Sequence, residues 1–272
     1  MDYQTFEPSN LVNSFVKCYW TLDIEKQDPP EKQRIVPDGC MEMIFHLGDH
    51  YIQYQSNGQT IEQPNCFVFG QITKPLEIEP AGITSIFAVR FHPDGFTSFA
   101  TLPLKQMENK AVSISELFGN EGLELQLKVV NALTTQKRIT IIEDFLMSRL
   151  LAPELVDRMI KSSVKTILKL KGQLSVSELS EKANINRRQL ERRFADTIGL
   201  SPKQLAKIIR IQVTLNTMLN RDFESLTSLA YKNDYFDQAH FIKDFKEFTG
   251  VNPKKFYSDN LKMSSLFSKP TS

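Results

Sequence analysis

Phe194, Gly199, Pro202 and Lys203 recur in the same order and spacing as Phe245, Gly250, Pro253 and Lys254, about fifty residues later. Upstream, Val176, Leu179 and Ser180 have counterparts in Leu226, Leu229 and Ala230, with one extra residue in the second turn. A duplication of this length confines the C-terminal part to two copies of one supersecondary unit. The repeated residues identify that unit. Glycine supplies the left-handed residue that stops a helix, Ser201 or Asn252 caps the next one, and the proline falls in a first turn where its missing N–H costs nothing. In the first copy, Ser175 and Glu178 have the spacing of a capping box, Asn184 tolerates positive φ in the turn, and Asn186 caps a second helix with Gln189 at its third position. Two short helices joined by a tight turn predict a helix-turn-helix. The second copy uses Asp234 in the turn and Asp237 as the cap.

Between the copies, "PKQLAKIIRIQVTLNTML" is apolar at Leu205, Ile208, Ile209, Val213 and Leu219 and has no interior Gly or Pro, which predicts one continuous linking helix. The wholly helical stretch is expected to begin at Pro153, with Ile160, Val164, Ile167 and Leu168 on a helix that ends near Gly172. The charge divides at the same place. The formal net charge of +1 conceals roughly 21 basic against about 12 acidic residues from Val156 onward, near +9, with about −8 before it. A basic back half behind an acidic front half predicts a polyanion partner for the back half alone.

"SVSELSEKANINRRQLERRF", "GLSPKQLAKIIRIQ" and "SLTSLAYKNDYFDQAHFIKDFKEFTGVNPKKF" follow one another within residues 158–272, and this region resembles the DNA-binding domain of the AraC/XylS family of bacterial transcription regulators. Asn184 and Asp234 stand where that family commonly has glycine; both residue types reach positive φ. The resemblance implies two recognition helices about one DNA turn, ~34 Å, apart, lying in successive major grooves of double-stranded promoter DNA. It also implies contact with RNA polymerase and an N-terminal domain that senses a small molecule or forms a homodimer.

In the first recognition helix Leu190 and Phe194 must face the core, which turns Arg188, Glu191 and Arg192 together onto the other surface. Arginine takes a guanine edge bidentately and glutamate accepts from cytosine N4. By their match to family positions these three are the base-contact candidates, with Arg187 and Arg193 as phosphate or intradomain partners. In the second, Phe241, Phe245 and Phe248 belong to the core, so Gln238, Ala239, Ile242 and Lys243 are expected outward, Gln238 for adenine and Ala239 or Ile242 for a thymine methyl. His240 is expected to pack or to bond backbone.

The front half reads as an antiparallel β sandwich or barrel. "MEMIFHLG" alternates Met41, Met43, Phe45 and Leu47 against Glu42 and His46, Asn57-Gly58 marks a hairpin, and Phe87, Val89 and Phe91 alternate until Pro93 and Gly95. Leu123, Leu127 and Val130, then Ile139, Ile142, Phe145, Leu146 and Leu150, predict two amphipathic helices that cap the sheet or pair with another chain. "IVPDGCMEMIFHLGD" and "FAVRFHPDGF" also resemble the N-terminal domain of a less characterised group of AraC-type regulators, which names no ligand. Phe45, Tyr54, Phe69, Phe87 and Phe91 are expected as core before pocket.

The fold is thus expected to be α+β: a β-rich sensor or dimerisation domain with a helical end over residues 1–155, and an all-α double helix-turn-helix domain over 156–272. The expected function is sequence-specific DNA binding in transcription control, without enzymatic activity, metal or cofactor. A metal-dependent barrel enzyme fused to a DNA-binding module is the alternative, with Glu42, His46, His50 and His92 as the ligand types present. They contain no close His-x-His pair. Cys18, Cys40 and Cys66 are odd in number and scattered, and no apolar run approaches ~18 residues, so a cytoplasmic protein without membrane spans is expected.

Overall fold

The computed structural model describes residues 1–25, 29–55, 57–150, 157–220, 223, 225–233 and 235–259. Pro153, Asp234 and the 155/156 boundary lie outside these residues. The front half contains strands β1 (Asp2–Phe6), β2 (Val16–Ile24), β3 (Gln33–Ile35), β4 (Glu42–His46) and β5 (Tyr51–Tyr54). They are followed by β6 (Thr60–Glu62), β7 (Cys66–Phe69), β8 (Leu76–Pro80), β9 (Thr84–Phe91) and β10 (Ala111–Ser113). One sheet has the order β1-β2-β9-β4-β7-β10 and the other β3-β8-β5-β6, all described pairings being antiparallel. Neither sheet closes on itself, so of the two expected architectures the open sandwich is correct and the barrel is not. The Asn57-Gly58 hairpin joins β5 to β6, with Gly58 at φ 81° and the Gln55 N–H donating to the Gln59 carbonyl at 2.8 Å.

Alternation along β4 and β9 divides the larger sheet into two buried faces. Met43, Phe45, Phe87, Val89 and Phe91 pack with two helices, α1 (Ile114–Val130) and α2 (Thr135–Ser148), through Leu117, Phe118, Leu125, Ile139, Ile142 and Leu146. The other face carries Cys18, Trp20, Leu22, Ile86 and Ala88, which meet Tyr51 and Ile78 of the smaller sheet. The helices therefore cap the sheet, but not with the expected stripe. Leu123, Leu127 and Val130 are exposed, Leu127 by 62%, because Gly122, Leu125 and Val129 form the face that packs inward. After its kink at Gly119, α1 is thus apolar on two sides.

The C-terminal part consists of α3 (Arg158–Lys169), α4 (Val176–Lys182), α5 (Arg187–Ile198), α6 (Pro202–Leu219), α7 (Leu226–Lys232), α8 (Gln238–Thr249) and α9 (Pro253–Asp259). The duplicated stop signals act as their chemistry requires. Gly199 ends α5 at φ 84° and Gly250 ends α8 at φ 77°, Ser201 and Asn252 cap the helices that follow, and Asn184 takes φ 49° in the first turn. Ser175 and Glu178 form the expected capping box, and Asn186 and Asp237 cap α5 and α8. Linking helix α6 is continuous, but it buries Leu205, Ile208, Ile211, Leu215 and Met218 while Ile209, Val213 and Leu219 sit at its margin. On α3, Ile160, Val164 and Ile167 are buried and Leu168 is exposed.

The two halves meet directly. Thr97 Oγ1 donates to the Thr197 carbonyl at 2.7 Å. A Cβ on Gly199 would stand 3.1 Å from the Leu104 carbonyl oxygen, so this residue serves both as a helix stop and as a close contact between the halves.

Candidate nucleic-acid interface and inter-sheet cavity

In the first helix-turn-helix unit, buried Leu190 and Phe194 anchor α5 and leave Arg187, Arg188 and Arg192 exposed. Glu191 is half-buried at the edge of this surface, where its carboxylate accepts from Arg187 Nε at 3.0 Å. Arg193 turns the other way and binds the Asp157 carboxylate, which also caps α3, so it holds two helices of the domain together. It takes the intradomain role of the two expected for it.

In the second unit, Phe241, Phe245 and Phe248 are buried, and Gln238, Ala239 and Lys243 are exposed at the start and middle of α8. Ile242 departs from expectation. It is half-buried and packs against the C-terminal core, so its apolar character is explained without a thymine methyl. The His240 ring lies edge-on to Tyr235 and 3.5 Å from Asp244, which makes it a packing residue of the domain.

The two recognition helices are held on one support. Lys207 of α6 contacts Asp244 Oδ1 at 2.9 Å and Glu247 Oε2 at 3.3 Å, both on α8. Burial works against the Lys207 ammonium, but the hydrogen bond and charge of Asp244, aided by Glu247, hold its pKa above the ordinary lysine value. Between the units runs a groove lined by Arg187, Lys203, Lys207, Arg210 and Lys243, an arrangement that favours a phosphate backbone.

The second site lies between the two sheets, a narrow cavity of about 90 Å³ walled by apolar side chains such as Leu22, Ile44, Ile78 and Ile86. Its polar end combines buried Arg90 with half-buried Asp38 and Glu42. Arg90, on β9, forms an ion pair with Asp38 and lies 3.3 Å from Glu42 Oε1, which also accepts from the Trp20 indole at 3.1 Å. Burial pushes the Glu42 carboxyl up to about 7, against the pull of Trp20 and Lys17. Burial also lowers the Arg90 pKa, from a value so high that the group stays charged.

Four residues along β4, His46 faces the same cavity. It stacks on Tyr51, and neither ring nitrogen makes a hydrogen bond of good geometry, with Gln63 beside it. Burial drives its imidazole down to about 4, so it is neutral near pH 7.

Of the metal-ligand types noted in the sequence, His46 and His50 meet edge to face with ring centroids 5.8 Å apart, while Glu42 and His92 hold other partners. His50 bonds Glu62 and Asn65, and His92 bonds the Asn13 carbonyl at 3.2 Å. Among the described residues no cluster of three or more His, Cys, Asp or Glu has the arrangement to hold a metal ion. Phe45, Phe87 and Phe91 are core, Phe69 borders the cavity, and Tyr54 donates to Glu79. Sequence reasoning missed Arg90, Asp38 and Trp20. The available signal was a charged residue on the inward register of the apolar strand "FAVRF".

The chain matches two family models: a domain of unknown function, DUF6597, over residues 4–113, and a helix-turn-helix domain over residues 179–258. It is 26% identical over 276 residues to the HTH-type transcriptional regulator MtrA of Neisseria gonorrhoeae, spanning 93% of this chain and 88% of that protein. An HTH-type transcriptional regulator of Staphylococcus aureus is 31% identical over 86 residues, 32% of this chain and 11% of the relative. ToxT from Vibrio cholerae aligns in structure over 94% of this chain and 98% of its own, at 11% identity and a TM-score of 0.48. Among the described residues no helix is long and apolar enough to cross a membrane. With two helix-turn-helix units on one linking helix and a regulator matched along nearly its whole length, the chain is a DNA-binding transcription regulator whose C-terminal part is a helix-turn-helix domain of the AraC type.

Proposed function

We propose that this chain is a one-component regulator in which residues 156–272 read promoter DNA and residues 1–155 set that reading according to a small molecule. Arg188 and Arg192 of α5, with Gln238 and Ala239 of α8, make the base contacts. Arg187 and Lys243 hold phosphates, Glu191 contributes beside Arg187, and Ile242 acts at the edge of the contact through its exposed part. The observation that carries this reading is the fixed mounting of α8 on α6 through Lys207 and Asp244, which gives the second recognition helix one orientation relative to the linking helix. The effector site is the inter-sheet cavity, where an ion pair and a neutral histidine border an apolar space. The exposed stripe Leu123, Leu127 and Val130 has the four-then-three spacing of a coiled-coil seam and supports a homodimer through α1. The DNA-bound protein acts in the cytoplasm and passes its signal to RNA polymerase.

The test is selection of a binding site from random DNA with the intact chain, followed by backbone footprinting of the selected duplex. Protection of two successive major grooves on one side of the duplex is expected. Protection of a single groove, or no enrichment over random competitor, overturns the reading.

A further inference from the structure

We propose that the inter-sheet cavity takes a slender apolar molecule ending in a carboxylate-type anion, which binds Arg90 in place of Asp38 and thereby releases the segment Pro37–Cys40 from the linking helix. The proposal rests on the reading of this cavity as the effector site and adds the ligand's chemistry and the route of its signal.

The charge follows from which partner of the ion pair is free to leave. Arg90 sits on β9, between β2 and β4, with its side chain only 7% exposed. Asp38 lies on the connection between β3 and β4, and its side chain is 20% exposed. A cationic ligand would draw Asp38 or Glu42 away and weaken the pairing of a guanidinium that cannot reach water, which is strongly unfavourable in a low-dielectric interior. An anionic ligand keeps Arg90 paired and displaces Asp38, whose carboxylate can turn out to solvent with its loop. The rest of the cavity wall is mainly apolar, with Leu22, Ile44, Ile78 and Ile86 beside the rings of Trp20 and Phe69, and favours an apolar body. His46 places a neutral polar group ~13 Å along β4 from Glu42, at four strand residues' distance.

The same segment touches the DNA-binding half through Pro37 and Gly39. Gln212 Nε2, on α6, donates to the Pro37 carbonyl at 2.7 Å. Gly39, at φ 80°, packs so tightly on α6 that a Cβ would stand 2.9 Å from Leu205 Cδ1. Gln71 Nε2 donates to the Gly39 carbonyl at 3.0 Å, and the Asp38 carboxylate accepts the Cys40 N–H at 2.9 Å. One short segment therefore has Asp38 on the cavity and Pro37 and Gly39 on the helix that spaces the recognition helices. Displacing Asp38 moves a contact of α6 without any ligand reaching the DNA-binding half.

Trp20 is the chain's single tryptophan, borders the cavity and donates to Glu42, so its fluorescence reports occupancy. The intact chain is titrated with octanoate, octanol and octylamine, all below their aggregation limits, and its affinity for its selected duplex is measured with and without each. Octanoate is expected to change Trp20 emission saturably, with the alcohol and the amine roughly tenfold weaker or worse. Asp38→Asn keeps the acceptor for Cys40 but removes the competing charge, and is expected to bind octanoate about tenfold tighter. Without ligand, that variant's DNA affinity should shift in the direction octanoate shifts the wild type. Preference for octylamine or octanol overturns the anionic ligand while leaving the effector cavity in place. Octanoate binding no tighter to Asp38→Asn than to wild type overturns displacement of Asp38. No response of Trp20 to any probe, in protein that still binds DNA, overturns the cavity reading and this proposal with it.

Discussion

Lys207 Nζ, on the linking helix, lies 2.9 Å from Asp244 Oδ1, on the second recognition helix, and the Asp244 side chain is almost completely buried. A buried carboxylate without a cation is strongly unfavourable, so this contact ties the position of α8 to that of α6. The ammonium reaches Glu247 as well, at the exposed rim of the same helix.

Lys207→Met removes the cation that meets Asp244 Oδ1, while His240 stays 3.5 Å from Asp244 Oδ2. We expect a loss of ~3 kcal/mol in unfolding free energy, the magnitude typical of breaking a buried pair. Urea unfolding checks this, and Lys207→Met/Asp244→Leu should recover much of the loss. A single variant within ~0.5 kcal/mol of wild type would show that the pair does not fix the helix.

Arg188 and Arg192 are exposed, and neither is needed to bury Leu190 or Phe194. Each alanine variant should keep wild-type stability and lose ~1–3 kcal/mol of discrimination at one base pair. Binding to a panel of single-position variants of the selected site measures it. Loss spread evenly over all sequences would reassign both residues to phosphate.

The His46 imidazole is held down to about 4 by burial, whereas an unfolded histidine titrates near 6.5. Between these values the unfolded chain binds more protons, so this group's contribution is complete above about 6.5 and is lost as pH falls toward about 4, by ~3 kcal/mol at most. Glu42, raised to about 7, has the opposite slope over part of the window, so the difference between wild type and His46→Phe is the informative quantity. The variant should lack the histidine's share of acid destabilisation. Parallel pH–stability curves would show that His46 titrates normally in the folded protein.

Leu127 is 62% exposed in the middle of the outward stripe of α1. Leu127→Glu should leave the fold intact and raise the dimer dissociation constant by roughly tenfold or more, measured by sedimentation over a concentration series. A wild-type chain that stays monomeric at high concentration would remove α1 as a dimer seam.

The C-terminal architecture was legible because its signals are local. A helix stop, a cap and a proline act within one turn of chain, so Gly199, Ser201 and Pro202, repeated as Gly250, Asn252 and Pro253, specify helix ends whatever surrounds them. Phase was less secure where a helix has two apolar sides. On α1 the choice of Leu125 and Val129 over Leu123 and Leu127 depends on how the helix lies on the sheet after Gly119, which no local pattern encodes.

The sequence by itself determined the period-2 alternation of β4, the register of Glu42 and His46 on one face, and the paired helix-turn-helix units. Only the tertiary structure decided that this polar-looking face points at a second sheet and not at water. Alternation distinguishes two sides of a strand but says nothing of what covers each, and here both are covered. Arg90, Asp38 and His46 thus became the lining of a buried cavity because distant strands closed over them, and Pro37–Cys40 became a link to α6 because the two halves pack together.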